Sequence, residues 1–131
     1  MERVHGIGGF FFRAREPKTL AAWYATHLGV DLTPQDYDHP CWKQEAGPTV
    51  FEPFPSDTTY FGRIEQAWMV NFRVRNLAAM IKQLQGAGIA VAVEGEEPNG
   101  LFARLEDPEG NPIQLWQPAG PAALAPESPR K

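Results

Sequence analysis

The sequence predicts an α+β fold in which two pseudo-repeated βαβββ modules form a curved mixed sheet around a concave cavity, with the helices on the outer face. The main observation is an internal repeat of roughly 60 residues, which is too long and too rare for a solenoid unit. The repeated segments are 12–15 with 72–75, 20–23 with 77–80, and 28–30 with 87–89. A ligand is expected where the two copies meet.

Length and composition indicate one domain followed by a short tail. With 131 residues the chain can bury a substantial core. The predicted domain is 1–118, with module one at about 4–54, a polar linker at 55–66 and module two at about 67–118. Residues 119–131 are rich in proline and alanine, and this composition favours disorder.

Module one is predicted from hydrophobic spacing and turn residues. Residues 4–14 are rich in β-forming side chains and predict a strand. Pro17 suits the first turn of a helix, where its missing N–H has no partner anyway, and an apolar stripe follows at helical spacing. Gly29 is expected to end this helix because glycine readily adopts the left-handed cap. Short β segments separated by turns are expected up to residue 54.

Module two repeats this order. Strict alternation over residues 68–74 predicts a strand with two different faces. Asn76 is a favourable N-cap for a helix that Gly86 or Gly88 should end. Three further strands are expected at 89–93, 101–105 and 113–116, with a dense turn at 107–112 before the last of them.

Charge and cysteine content exclude several classes of function. The net charge of −4 lacks the basic footprint of nucleic-acid binders, and it weakly favours a cationic ligand. The single cysteine, Cys41, excludes an internal disulfide framework and a multi-cysteine metal site. Apolar runs fall short of the ~18 residues that a membrane span needs, and the first residues do not resemble a signal peptide. A cytoplasmic protein without membrane or nucleic-acid partners is therefore expected.

Two stretches resemble a known superfamily. Residues 102–118, which contain the string DPEGNP at 107–112, resemble the C-terminal signature of the vicinal oxygen chelate superfamily. The helix end at residues 23–29 is similar to the corresponding helix end of that superfamily, which includes glyoxalase I, extradiol dioxygenases and fosfomycin- and bleomycin-resistance proteins. The resemblance covers residues 4–118 and implies paired βαβββ modules and a homodimer. It does not imply one activity, because the superfamily hosts many.

The resemblance also implies where a metal ion would be held. The four ligand positions of the superfamily, one on each of four strands, fall on Gly9, Glu52, Met69 and Gln114. Glycine has no side chain, and a thioether is a poor donor for the divalent ions that such sites use. No cofactor is therefore expected. The alternative is one divalent metal ion at a relocated site, formed by Glu52 with His5, His39 or Gln114.

Strand alternation predicts the residues that face the cavity. If Val70, Phe72 and Val74 face the helices, then the intervening side chains face the cavity, and the same argument applies to the other strands. The predicted ligand-binding residues are Phe11, Arg13, Glu52, Phe54, Met69, Asn71, Arg73, Gln114 and Trp116. Arg13 and Arg73 are related by the repeat and could approach each other. Alternatively, both arginines face solvent or acidic partners, and Trp116 belongs to the core or to the cavity rim.

Three functional hypotheses follow. The first is a metal-free, small-molecule-binding protein of the bleomycin-resistance type, with a resistance or sequestration role. The second is a lyase, isomerase or dioxygenase-type enzyme that uses Glu52 as a general base or a relocated divalent metal. The third is an interaction module without a small ligand, in which Trp116, Phe54 and Met69 close the cavity.

Overall fold

A computed structural model describes residues 1–123, and these form two helices and one four-stranded sheet. The elements in chain order are α1 (Pro17–Leu28), β1 (Val70–Arg73), α2 (Leu77–Gly86), β2 (Ala92–Glu97), β3 (Gly100–Glu106), β4 (Pro112–Pro118) and a 3-10 turn (Gly120–Ala123). The strand order is β1-β4-β3-β2, with β1 parallel to β4 and the other neighbours antiparallel. The predicted α+β class with a mixed sheet is confirmed.

Helix α1 has the predicted ends, and a distant side chain binds the backbone just before its start. Pro17 occupies the first turn, and Gly29 ends the helix in the left-handed conformation with φ 74°. The carboxylate of Glu109 accepts hydrogen bonds from the backbone N–H groups of Arg15 (2.7 Å) and Glu16 (3.0 Å). These two bonds lower the pKa of Glu109, because they stabilise its charged form. The start of α1 is thereby fixed to the turn before β4.

Helix α2 is bounded by the signals read from the sequence. The Asn76 side chain accepts a hydrogen bond from the backbone N–H of Ala79 at 3.0 Å, as expected of an N-cap. The helix ends at Gly86, and the backbone N–H of Ile89 returns to the carbonyl of Leu84 at 3.0 Å. The chain then leaves toward the sheet edge.

The core lies between the two helices and one face of the sheet. Leu84, Ile113 and Leu115 are fully buried, and each contributes roughly 2–3 kcal/mol by removal from water. The buried core consists of Leu20, Tyr24, Leu77, Leu84, Ala103, Leu105, Ile113 and Leu115. Since strand side chains alternate, the residues between these core positions on β3 and β4 lie on the opposite face, which no helix covers. We call this the open face.

The turn at 107–112 joins the two stretches that carry the family resemblance. Asp107 is only 4% exposed and accepts a 2.7 Å hydrogen bond from the hydroxyl of Tyr24 on α1. The same carboxylate accepts from the backbone N–H of Glu109 and from the backbone and side-chain nitrogens of Asn111. The string DPEGNP therefore stabilises the fold, because its aspartate holds both the turn and the helix.

Module one differs from its prediction. Residues 1–16 and 29–69 contain no hydrogen-bonded strand, although strands were expected at 4–14 and between 30 and 54. An extended segment becomes a strand only when a neighbour shares its backbone hydrogen bonds. Here the aromatic residues pack by their side chains instead, and Phe12 contacts Trp68 at 5.0 Å and Tyr24 at 6.3 Å between ring centroids. The paired-module arrangement remains a prediction.

The strand expected at 89–93 begins later, at Ala92, and runs to Glu97. Pairing with β3 starts only at Ala92, opposite Arg104, while Ile89 and Val91 pack against the core. In this lead-in to β2 (residues 89–91), side-chain packing rather than strand pairing holds the extended chain.

The tail predicted at 119–131 lies largely outside the described residues. Its described part forms the 3-10 turn, and the backbone N–H of Ala119 donates to the carbonyl of Asn99 at 3.0 Å. None of the helices in residues 1–123 combines the length and hydrophobicity needed to cross a bilayer.

The Tyr24–Asp107 pair predicts a loss of stability at alkaline pH. Burial and the neighbouring carboxylate raise the pKa of Tyr24, whereas in the unfolded chain a tyrosine ionises near pH ~10. The unfolded state therefore releases this proton first, so the free energy of unfolding should fall above about pH 10. Urea unfolding between pH 8 and 11 should show a steeper fall for the wild type than for Tyr24→Phe. Equal slopes would contradict this prediction.

Candidate functional site

The open face presents two rows of side chains that run across the strands. Strand register sets both rows, since each residue stands directly beside its partner on the next strand. The first row contains Asn71 on β1, Gln114 on β4 and Arg104 on β3. The second row contains Arg73 on β1, Trp116 on β4 and Phe102 on β3. Polar groups thus lie directly beside an aromatic surface.

Gln114 is the centre of a hydrogen-bonded cluster. Its side-chain oxygen accepts from Asn71 Nδ2 at 2.8 Å. Its side-chain nitrogen donates to the hydroxyl of Tyr60 at 2.7 Å and to Glu94 Oε1 at 3.2 Å. We refer to Asn71, Gln114, Tyr60, Glu94 and Arg104 as the Gln114 cluster. Both ends of the central amide are thus held in a fixed orientation.

Tyr60 enters the cluster from the linker at 55–66. Its hydroxyl donates to the Glu94 carboxylate, at 3.0 Å from Oε1, and the Arg104 guanidinium carbon lies 4.6 Å from the ring centroid. That distance is within the range of a cation–π interaction. Burial and the Glu94 carboxylate raise the pKa of Tyr60, and the Arg104 charge opposes this only in part. The phenol therefore keeps its proton at neutral pH.

A bulge in β2 brings Glu94 into the cluster. The register between β2 and β3 shifts between Val93 and Gly95, so one extra residue interrupts the regular ladder. Bulges bend a strand locally and redirect its side chains. Glu94 consequently reaches both Tyr60 and Gln114, although β2 is the exposed edge strand.

An aromatic stack adjoins the cluster. The rings of Phe102 and Trp116 are parallel within 4°, with centroids 6.1 Å apart. Trp116 is 3% exposed, and its indole N–H donates to the carbonyl of Asn99 at 2.9 Å. The ring of Phe54 stacks on that of Tyr60, with centroids 6.0 Å apart. The polar cluster is therefore flanked by aromatic rings.

Five of the predicted ligand-binding residues lie at or beside the cluster. Asn71 and Gln114 belong to it, and Phe54 contacts it through Tyr60. Trp116 and Arg73 form the adjacent row, where the Arg73 guanidinium donates to the carbonyl of Glu45 at 3.0 Å. The alternation argument thus placed β1 and β4 correctly.

The other four predicted residues are not part of this arrangement. Arg13 lines a separate cleft of about 290 Å³ with Arg63, Glu109 and Asn111. Asn111 precedes β4, whereas Arg73 pairs with Trp116 about 16 Å farther along that strand, so the expected approach of the two arginines is not observed.

Phe11 is 93% exposed, Glu52 is exposed, and Met69 is half-buried just before β1. Neither Phe11 nor Glu52 forms a ring contact or hydrogen bond with the cluster among residues 1–123. For all four residues, contact with a ligand remains a prediction.

Four site residues were missed from the sequence. Phe102 and Arg104 alternate with the buried residues Ala103 and Leu105, so the argument used for β1 and β4 would have found them. Tyr60 and Glu94 gave no such signal. Tyr60 lies in an irregular linker, and Glu94 is redirected by a bulge that no local pattern announced.

The residues present do not fit the metal site of the superfamily. Of its four positions, Gly9 offers no donor and Glu52 is exposed, while the side-chain oxygen of Gln114 accepts from Asn71. Within the described part of the chain, no three His, Cys, Asp or Glu side chains are grouped so that they could hold a metal ion. Divalent ions need several convergent oxygen or imidazole donors. This donor set does not supply them.

A second cleft lies at the sheet edge and shares Arg104 with the Gln114 cluster. It has a volume of about 560 Å³ and extends between Trp23, the lead-in to β2 and the end of β3. Ala90 and Val91 form part of its wall, and Arg104 reaches its rim. A substitution in the wall of this cleft therefore provides a control for substitutions on the open face.

Comparison with known proteins identifies the fold. A family model described as "glyoxalase-like domain" matches residues 9–116. TnmS3, an antibiotic binding protein from Streptomyces sp. CB03234, is 24% identical with a TM-score of 0.62, over 91% of this chain and 100% of that one. A glyoxylase/bleomycin resistance protein/dioxygenase domain from Frankia sp. EAN1pec is 14% identical with a TM-score of 0.56, over 89% and 100%.

A putative glyoxalase family protein from Bacillus anthracis is 16% identical with a TM-score of 0.50, over 78% and 84% of the two chains. No curated protein matches the chain. At these identities the solved structures establish a common fold, and the chemistry must be argued from the side chains described above.

Proposed function

Because the chain belongs to the glyoxalase-like family of the vicinal oxygen chelate superfamily, we propose that it binds a small organic molecule at the Gln114 cluster on the open face. The observation that carries the proposal is the fixed amide of Gln114, which joins Asn71, Tyr60 and Glu94 beside the Phe102–Trp116 stack. TnmS3, which has a similar fold, is described as an antibiotic binding protein, and this supports a sequestration or resistance role.

The chemistry of the face suits a partly aromatic ligand. Small-molecule sites combine an apolar surface with a few precisely placed polar groups. Here the aromatic rings supply the surface, the Glu94 carboxylate is a hydrogen-bond acceptor, and Arg104 is a donor that also carries charge. Since Glu94 and Arg104 have opposite charges, we propose a ligand without a large net charge.

Metal independence is part of the proposal. Two of the four inherited positions, Gly9 and Met69, carry no suitable donor, and the Gln114 amide is already committed to hydrogen bonds within the cluster. Binding would then depend on hydrogen bonding and aromatic contact. We expect the affinity to be unchanged by EDTA.

The direct test is a ligand screen followed by substitution of Gln114. Aromatic antibiotics and other aromatic small molecules would be screened by thermal shift, and hits measured by calorimetry with and without EDTA. Gln114→Leu should weaken binding at least tenfold, since it leaves polar partners unsatisfied in the bound state. Ala90→Gln, which adds bulk to the cleft at the sheet edge, should leave the affinity unchanged. The opposite pattern would place the ligand in that cleft.

The same samples distinguish binding from catalysis. Ligand recovered unchanged after incubation supports a binding protein. Conversion to product would support the enzymatic alternative, in which Glu52 acts as a general base. In that case Glu52→Gln should abolish turnover while binding is retained, and a requirement for metal would reveal a relocated site.

We also propose a homodimer. Exposed apolar side chains concentrate in segments 4–12 and 42–54, which lie where the sequence predicts a strand (4–14) and short β segments (30–54) and which have no strand partner within residues 1–123. Phe11 and Phe51 are 93% and 85% exposed. A second copy would cover these side chains and pair the free backbone.

Light scattering after size exclusion should therefore give twice the chain mass of 14.6 kDa. Phe51→Asp should weaken the dimer by about thirtyfold or more, the effect typical of a central aromatic residue of an interface. Ile64→Asp, which changes an exposed apolar residue outside both segments, is the matched control and should have little effect. A monomer at all concentrations would refute the dimer.

A further inference from the structure

Tyr60 is held in the Gln114 cluster as a bound ligand would be held. Its hydroxyl donates to Glu94 and accepts from Gln114, and its ring contacts both the Arg104 guanidinium and the ring of Phe54. Yet Tyr60 belongs to neither the sheet nor a helix. It comes from the linker, and its side chain contacts Glu94, Gln114 and Arg104.

We infer that Tyr60 occupies the position of the ligand, and that the ligand is a hydroxylated aromatic molecule which displaces it. The inference rests on the proposed function and specifies the ligand class for the same site. Once Tyr60 leaves, Glu94 and Gln114 lose a hydrogen-bond partner, and the face of Arg104 loses its aromatic ring. A phenol replaces all three interactions at once.

The arrangement selects for the hydroxyl group. An aromatic molecule without O–H would leave the Glu94 carboxylate and the Gln114 amide without the partner that Tyr60 gave them. Sites built to hydrogen-bond a hydroxyl reject the analogue that lacks it, because the polar groups of the site remain unpaired. The raised pKa of Tyr60 indicates that this environment favours the protonated phenol over the phenolate.

The stretch around Tyr60 is suited to move while the end of the linker stays in place, because Gln66 is buried and donates to the carbonyl of Trp68 at 3.0 Å. The segment around Tyr60 is held by short-range hydrogen bonds. The backbone N–H of Tyr60 donates to Thr58 Oγ1 at 3.2 Å, and the N–H of Gly62 donates to the carbonyl of Thr59 at 3.1 Å. None of these residues belongs to the buried core cluster. Segments with few buried contacts open at low free energy. Phe102 and Trp116 form the row next to Arg104 and Gln114, so aromatic rings border the vacated position.

The test uses 2-naphthol and its methyl ether, 2-methoxynaphthalene, as probes in calorimetry. Tyr60→Phe keeps the ring but removes the hydroxyl, so the linker should be displaced more easily. Two hydrogen bonds of typical net strength correspond to roughly tenfold, so this variant should bind 2-naphthol about tenfold more tightly than the wild type. The ether should bind at least tenfold more weakly than 2-naphthol. Tyr37→Phe, at a fully exposed tyrosine, should change nothing.

The outcomes separate this inference from the proposed function. If Tyr60→Phe weakens 2-naphthol binding, Tyr60 is a wall of the site and the displacement model is overturned. Equal affinity for 2-naphthol and the ether overturns the phenolic class. If neither probe binds, but a screened ligand binds and is lost in Gln114→Leu, the inference fails and the proposed function stands. If no ligand binding depends on Gln114, both fail. Tyr60→Ala, checked for folding by circular dichroism, should tighten 2-naphthol binding at least as much as Tyr60→Phe.

Discussion

Asp107→Ala should lower the free energy of unfolding by about 3 kcal/mol, because it removes the common acceptor of four hydrogen bonds at a buried position. The Tyr24 hydroxyl and the Asn111 amide would lose their carboxylate partner in the folded state. For a domain of this size the midpoint of thermal unfolding should fall by roughly 10 °C. Urea and thermal unfolding, monitored by circular dichroism, provide the measurement.

An exposed aspartate provides the matched control for this substitution. Asp36 also accepts a hydrogen bond from a backbone N–H two residues later, that of Asp38, and contacts the ring of His39. Because water can replace these bonds at an exposed site, Asp36→Ala should leave stability unchanged within error. A similar loss in both variants would show that burial is not the cause.

Gly100→Ala should have a comparable effect, and it should also damage the proposed site. Gly100 has φ 145°, and an added Cβ would lie 2.2 Å from the carbonyl oxygen of Gln117 and 2.6 Å from Trp116 Nε1. Backbone strain and overpacking together should lower the free energy of unfolding by about 3 kcal/mol. Because the indole of Trp116 must shift, ligand affinity should fall as well.

A substitution at Gly95 distinguishes backbone strain from overpacking, the two effects expected at Gly100. It has φ 105°, but an added Cβ would meet no atom within 4 Å. Gly95→Ala should therefore show the conformational strain alone, about 1–2 kcal/mol in the free energy of unfolding. If Gly95→Ala and Gly100→Ala lower the free energy of unfolding equally, the clash of the added Cβ with Gln117 and Trp116 does not contribute to the loss of stability.

Local signals were sufficient to predict the two helices and most strands of module two. Pro17, Gly29 and Asn76 mark helix ends through properties of a single residue, namely a missing N–H, a tolerated left-handed φ and a short side-chain acceptor. Strand alternation likewise placed Asn71 and Gln114 on the same face of the sheet, and the register then showed them side by side. These features depend on neighbours in sequence, so they can be read from it.

Long-range features could not be predicted in this way. The strands expected in module one depend on a second segment to share their hydrogen bonds, and within residues 1–123 none does so. Arg13 and Arg73 are related in sequence by the repeat, yet they lie near opposite ends of β4. An internal repeat indicates similar local structure, but it does not fix how the copies are placed.

For this protein the sequence by itself determined the α+β class, both helices, most of the second-module strands and the face of β4 on which Gln114 lies, because each follows from periodicity, from single-residue backbone preferences or from a recognised motif. Only the tertiary structure decided that Tyr60 and Glu94 complete the cluster and that Asp107 accepts a hydrogen bond from Tyr24. These contacts join residues far apart in the chain, and their geometry depends on a bulge, a linker and a buried carboxylate that have no local signal.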